Sequence, residues 1–141
     1  GPIREGSCTL CHQPHGSQHF RILTHEFPRL FSSPFSVEVY ELCFQCHEST
    51  LVLDERTTAL TDFRNGDKNL HYVHVNQAWG RTCRACHEVH AGTKPKRMKD
   101  FVPYGTWMYP VNFELAADGG KCAPGCHLPR GYDRKQAIIQ R

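Results

Sequence analysis

No run of eighteen apolar residues occurs in the 141-residue chain, which excludes a membrane-spanning helix. Apolar residues make up only 39 % and share the chain with 11 glycines and 9 prolines, thin material for a core built on long regular elements. No basic–apolar–small secretion signal opens it. The first residues, Gly1-Pro2, fit a mature terminus left by cleavage, a protease scar or a fragment edge. Methionine is scarce, with only Met98 and Met108. Neither sign of charge dominates, since 17 basic residues stand against 14 acidic ones for a net +3. At this length one domain is expected, residues 1–141.

Cysteine and histidine are abundant instead. The cysteines fall in pairs, Cys8/Cys11, Cys43/Cys46, Cys83/Cys86 and Cys122/Cys126, and a histidine directly follows each pair: His12, His47, His87 and His127. Neither a disulfide framework nor a zinc ribbon requires that histidine, whereas C-x-x-C-H is the signature of covalent haem attachment. Two thiols meet the two vinyl groups of one rigid macrocycle, and the adjacent imidazole is held beneath the iron as the proximal ligand. The last site, Cys122-Ala123-Pro124-Gly125-Cys126-His127, has one residue more; a bulge at Pro124-Gly125 absorbs it while Cys126-His127 keep their register. The pattern predicts four haem c groups, at 8–12, 43–47, 83–87 and 122–127. The first cysteines recur at intervals of 35, 40 and 39 residues, yet little besides the motif repeats, so we read regular cofactor spacing rather than a solenoid. With eight propionates and four ferric cores counted, the net charge becomes about −1 oxidised and about −5 reduced, so the basic balance gives no reason to expect a nucleic-acid partner. The lysines of 94–99 are either propionate partners or a solvated loop, and the loop is the default for any one of them.

The second axial ligand separates an electron carrier from an enzyme, because a protein ligand on both faces closes the iron to substrate. Six histidines remain beyond the four proximal ones: His15, His19, His25, His71, His74 and His90. His15 and His90 each stand three residues past a proximal histidine, and His71 and His74 have the same spacing without cysteines. Three apart on a helix means one face, so such pairs are expected to serve two adjacent haems. We therefore expect His15, His71, His74 and His90 as distal ligands, with His19 and His25 as further candidates. Met98 and Met108 are disfavoured because histidines are in surplus. Pro14 prevents a smooth helical turn from His12 to His15, whereas His87 to His90 has no such block, so the two pairs are expected to splay their haems differently.

Regular structure is expected to be sparse. Residues 36–48 read as the best helix, with Ser36 as cap and Val37, Tyr40 and Phe44 on one face. Residues 54–64 read as a second short helix capped by Asp54, and 82–91 as a third that ends at Gly92. Asn65-Gly66-Asp67 reads as a turn. The stretch 101–115 reads as extended chain packed on porphyrin, although its alternation permits a short strand. The tail, GYDRKQAIIQR, either docks or frays.

The segments CTLCHQPH, CFQCH, NLHYVHVN, GRTCRACHEVHAG and GGKCAPGCH followed by GYDR resemble the multihaem cytochromes c with doubled C-x-x-C-H motifs, over most of residues 8–133. The resemblance implies bis-histidine haems in a closely spaced line, export before haem attachment, and electron transfer without catalysis. Subunits of extracellular cytochrome filaments are similar: a short tetrahaem chain with little regular structure, in which an N-terminal histidine can ligate a haem of the next subunit, a role that would suit His19 and His25. The expected fold is mostly irregular coil with short α-helices and little or no β, a small tetrahaem cytochrome c wrapped around a closely packed haem chain. Expected partners are other redox proteins, further copies of the chain, or extracellular electron acceptors, in an extracytoplasmic location.

About 35 residues per haem can hardly insulate four of them, which favours an extracellular or surface assembly over a soluble periplasmic shuttle. An oxidoreductase with one open haem is disfavoured because all four motifs end in histidine. A zinc-binding interaction module remains the reading from a third class. The intact mass is expected to exceed that of the bare chain by four haems, with no zinc in elemental analysis; a smaller excess, or zinc in place of iron, contradicts the assignment.

Overall fold

The computed structural model describes residues 5–90 and 92–139. Gly1-Pro2 and Ala91 lie outside the described residues, so the expectations for the opening dipeptide and for the far end of the 82–91 helix are not addressed by it. The accessible surface is 9430 Å², against about 7450 Å² for an ordinary folded chain of this mass. The protein is thus an open shell with little core of its own. Its main cluster is Tyr40, Val52 and Val75, with Phe35, Val39, Phe44, Leu51 and Cys83 packed around it.

The first motif opens with a 3-10 turn, Cys8–Leu10, and the chain returns to it through a second, Phe20–Ile22. Strand β1 (Ser32–Ser33) follows, then a 3-10 turn at Glu38–Tyr40 that runs into α1 (Glu41–Phe44). Ser36 Oγ accepts from the Val39 N–H at 3.4 Å, as its capping role requires, but the expected helix over 36–48 is reduced to these two turns. Helix α2 is Thr50–Leu53 and stops at Asp54, whose backbone is extended. The expected helix at 54–64 is therefore absent, and Asp54 follows a helix instead of starting one. Thr57 and Thr61 take up local backbone N–H groups through their hydroxyls, which competes with helical pairing.

Strands β2 (Arg64–Asn65) and β3 (Lys68–Asn69) form a hairpin around Gly66, at φ 60°, where the turn was expected. Helix α3 (Leu70–Val75) starts directly from it. Asn69, fully buried, makes this junction. Its Oδ1 accepts from the N–H groups of His71 (3.0 Å) and Tyr72 (3.4 Å), and its Nδ2 donates to the carbonyls of Leu51 (2.9 Å) and Asp54 (2.8 Å). One side chain caps α3 and ties it to α2.

Strand β4 (Gly80–Arg81) pairs antiparallel with β1, and a Cβ at Gly80 would overlap the Val75 carbonyl. Helix α4 is Cys83–Cys86 only. His87 is already extended (φ −101°, ψ 139°), so the helix expected to reach Gly92 ends one residue before the proximal histidine.

The expectation of little or no β is corrected beyond this point. Strands β5 (Phe101–Tyr104) and β6 (Trp107–Pro110) form a hairpin, and β7 (Glu114–Ala116), β8 (Gly119–Cys122) and β9 (Arg130–Asp133) form a three-stranded antiparallel sheet. Pro103 and Pro110 are tolerated because a two-stranded ribbon is all edge, and a missing N–H can face outward. The tail docks: Asn65 receives the Ile138 N–H at 2.8 Å and donates to the Ile138 carbonyl at 2.8 Å.

Replacing Asn69 with Ala removes its four hydrogen bonds at a buried site and is expected to destabilise the holoprotein by about 2–4 kcal/mol. The denaturant midpoint measures this, with exposed Gln45→Ala as a control expected to stay within about 0.5 kcal/mol.

Candidate haem-binding site

All eight cysteines are free thiols. The motifs are neighbours in chain order. Burial raises the Cys11 thiol, with Cys46 of the second motif adding to it. Cys43 is held protonated by a thiol hydrogen bond with Cys83 of the third motif and by burial. Cys122 of the fourth is pushed up to about 11 by burial, with Cys86 of the third adding to it. In motifs one, two and three the histidine N–H donates to the carbonyl of the first cysteine, at 2.9, 3.0 and 2.9 Å, a single tight turn that sets both thiols and the imidazole on one side. The fourth motif is built differently: it is the loop of the β8–β9 hairpin, with Gly125 packed so closely on the Tyr109 ring that a Cβ would not fit.

The imidazoles are pre-set for metal binding. His12, His74, His87 and His127 donate Nδ1–H to the carbonyls of Arg21 (3.1 Å), Leu70 (2.7 Å), Lys96 (2.9 Å) and Leu128 (2.6 Å). His71 Nδ1 lies 3.0 Å from Thr61 Oγ1. A donated Nδ1–H leaves the lone pair on Nε2, the form in which histidine ligates metals. Burial, with His87 and His74 nearby, lowers the pKa of His71 to about 4, and burial also lowers His74 and His87. All three are neutral at neutral pH.

Two pairs of rings face each other. His12 and His90 have centroids 6.2 Å apart and planes 21° apart; for His71 and His87 the values are 6.3 Å and 23°. An iron between two Nε2 atoms sets the ring centres about 6.4 Å apart, from metal–nitrogen bonds of about 2.0–2.1 Å and a ring radius of about 1.1–1.2 Å. The ring separation in both pairs is close to what an iron between two imidazoles would require. Among the described residues, no group of three or more metal-ligating side chains converges.

The remaining candidates divide. His74 packs on Phe63 and feels His127 electrostatically. His19 is engaged with Glu26 at 3.3 Å and His25 with Thr24 at 3.0 Å. His15 is exposed and makes no hydrogen bond, ion pair or ring contact among the described residues. His47 is also exposed, and among the described residues no ring stands opposite it at the spacing of the two pairs. Met98 pairs with His87 through a backbone bridge, and Met108 is exposed on β6. Lys94 pairs with Asp100, and Lys96 with Asp62 at 2.9 Å, so these two lysines already have carboxylate partners within the chain.

The smooth helical turn expected from His87 to His90 is absent, as it is from His12 to His15, although His90 meets the His12 ring while His15 is exposed. Both proximal histidines sit in a backbone bridge, His12 with Leu23 and His87 with Met98, after a helical turn that has already ended. Pro14 therefore interrupts nothing that its counterpart preserves.

Residues 1–51 match the family model described as Doubled CXXCH motif, a span that holds the first two attachment sites. The match supports a multihaem c-type cytochrome. Motifs of this kind indicate covalently bound haem c and multihaem electron transfer, a generally non-enzymatic role, and haem c cytochromes are extracytoplasmic. No curated protein and no solved structure matches the chain. Among the described residues, no helix is long and apolar enough to cross a membrane.

Sequence reasoning missed Asn69, Thr61 and the carbonyls of Arg21 and Lys96. Asn before an apolar-periodic run is a capping signal that could have been read; a backbone carbonyl leaves no mark in a sequence. Replacing His90 with Ala is expected to open the iron ligated by His12, and His71→Ala the one ligated by His87. Each variant should acquire one carbon-monoxide-binding haem and keep the others low-spin, as read from reduced optical spectra.

Proposed function

We propose that the chain carries four bis-histidine c-type haems and moves electrons one at a time along them, as a subunit of an extracellular or surface conduit. The observation that carries this reading is the pair of facing imidazole couples, His12/His90 and His71/His87. When bound, haem c supplies a reversible one-electron iron couple. The eight motif cysteines would hold it, His12, His47, His87 and His127 would be its proximal ligands, and His90, His71 and His74 would serve as the second ligands opposite His12, His87 and His127. An imidazole opposite another at the iron leaves no position there for substrate, which favours a carrier over an oxidoreductase with an open haem.

Two observations favour assembly over a soluble periplasmic shuttle. Among the described residues no ring faces His47, and His15 is exposed with no hydrogen bond, ion pair or ring contact. A neighbouring copy that presents a histidine, His15 or one of the engaged His19 and His25, would complete the set. The large exposed apolar side chains, among them Trp79, Trp107, Leu128 and Ile139, agree with contacts beyond one chain.

Micrographs and sedimentation of the native haem-loaded protein test this. Polymers that His15→Ala disperses without loss of haem are the expected result. A monomer in which all four irons are low-spin and closed to carbon monoxide would overturn the assembly, and carbon monoxide binding at most haems would overturn the carrier.

A further inference from the structure

Among the described residues, the segments 8–24 and 83–99 repeat one hydrogen-bond pattern, although few of their residues agree outside the motif. In the first, Gln13 N–H donates to the Ile22 carbonyl at 2.7 Å and Thr24 N–H to the Cys11 carbonyl at 2.9 Å; in the second, Glu88 N–H donates to Arg97 at 2.7 Å and Lys99 N–H to Cys86 at 2.8 Å. Each return loop tightens into a 3-10 turn and carries two consecutive non-glycine residues in the left-handed region: Arg21 and Ile22 at φ 55° and 54°, Lys96 and Arg97 at φ 54° and 55°. That conformation is disfavoured for L-residues and most of all for a β-branched one such as Ile22. In both copies the residue that enters it first is the one whose carbonyl accepts the proximal Nδ1–H, Arg21 for His12 and Lys96 for His87. The other two proximal histidines lack this arrangement: His127 donates to its own neighbour, Leu128, and His47 makes no side-chain hydrogen bond among the described residues.

We infer that Arg21 and Lys96 are positioning residues, a matched pair of left-handed backbone turns that aim a carbonyl at the proximal imidazoles of His12 and His87, orient those rings and strengthen them as donors. The inference rests on the haem-ligating role proposed above. A more basic imidazole favours the ferric state, so the two turns hold the irons of His12 and His87 at lower potentials than the same ligands would without the carbonyl. The side chains serve elsewhere: Lys96 pairs with Asp62, and Arg21 lies 5.1 Å from the Phe20 ring.

The test compares Arg21→Gly with Arg21→Pro and Lys96→Gly with Lys96→Pro in the haem-loaded protein. Both members of each pair lose the cation, but glycine keeps a positive φ whereas proline is locked near −65°. Haem-resolved potentiometric titration is expected to show one couple in each proline variant shifted about tenfold toward the ferrous state relative to glycine, close to 59 mV upward for one electron. Equal potentials in the glycine and proline variants would overturn the inference. Loss of proline variants to misfolding is covered by the unaltered protein, where the Nδ1 protons of His12 and His87 should exchange with solvent more slowly than that of His47; equal exchange also overturns it. A chain that binds no haem refutes the parent reading instead, and the haem content separates the two failures.

Discussion

An imidazole has two nitrogens, and it can present one to a metal in a defined direction only when the other is held. Much of this structure depends on that constraint. His12 and His87 give their Nδ1 protons to carbonyls nine residues downstream, His74 gives its proton one helical turn back, and His127 gives its proton to the next residue. Each donor requires a local piece of chain in a specific shape, and the short elements of the fold are largely those pieces. Helix α3 has only six residues, yet it orients both His71 and His74, and it holds because Asn69 caps it and ties it to α2. The left-handed turns at 21–22 and 96–97 go against the intrinsic preference of their residues. Such a conformation persists when the surrounding hydrogen bonds over-determine it, as the paired backbone bonds at both sites do.

The same constraint accounts for the thin core. Three residues, Tyr40, Val52 and Val75, form the main buried cluster, and the surface is larger than a chain of this mass normally exposes. Its own packing serves to join the segments that carry the cysteine–histidine motifs. The closest approaches are where glycine is required: Gly80 against Val75, beside the third motif, Gly119 against Tyr132 in the sheet that carries the fourth, and Gly125 against Tyr109 within the fourth itself. A side chain at any of these would force a backbone apart and displace an attachment site.

Legibility in the sequence varied with the physics of each feature. The four cysteine–histidine motifs could be read because attachment to a rigid macrocycle calls for a fixed local spacing. The Asn65-Gly66-Asp67 turn and the Ser36 cap could be read for the same kind of reason, a local steric or hydrogen-bonding requirement. The helix expected at 54–64 failed because Asp54 is extended and Thr57 and Thr61 satisfy backbone groups in non-helical ways, and the hairpin at 101–110 was underestimated because proline argues against strands only where an N–H is needed inside a sheet. The duplication of 8–24 in 83–99 was invisible because it is conserved in hydrogen bonds and φ angles while residues such as Phe20 and Pro95, or Ile22 and Arg97, share nothing.

The sequence by itself determined the candidate chemistry: where cysteine pairs stand with a histidine directly after them, and that histidine outnumbers methionine as an available ligand. These follow from covalent spacing over five or six residues. Only the tertiary structure decided which rings come together: His90 lies opposite His12, 78 positions away in the sequence, and His71 rather than His74 lies opposite His87. Ring separation and plane angle depend on how distant loops close on one another, and closure is set by carbonyl directions and glycine approaches that no spacing of side chains records.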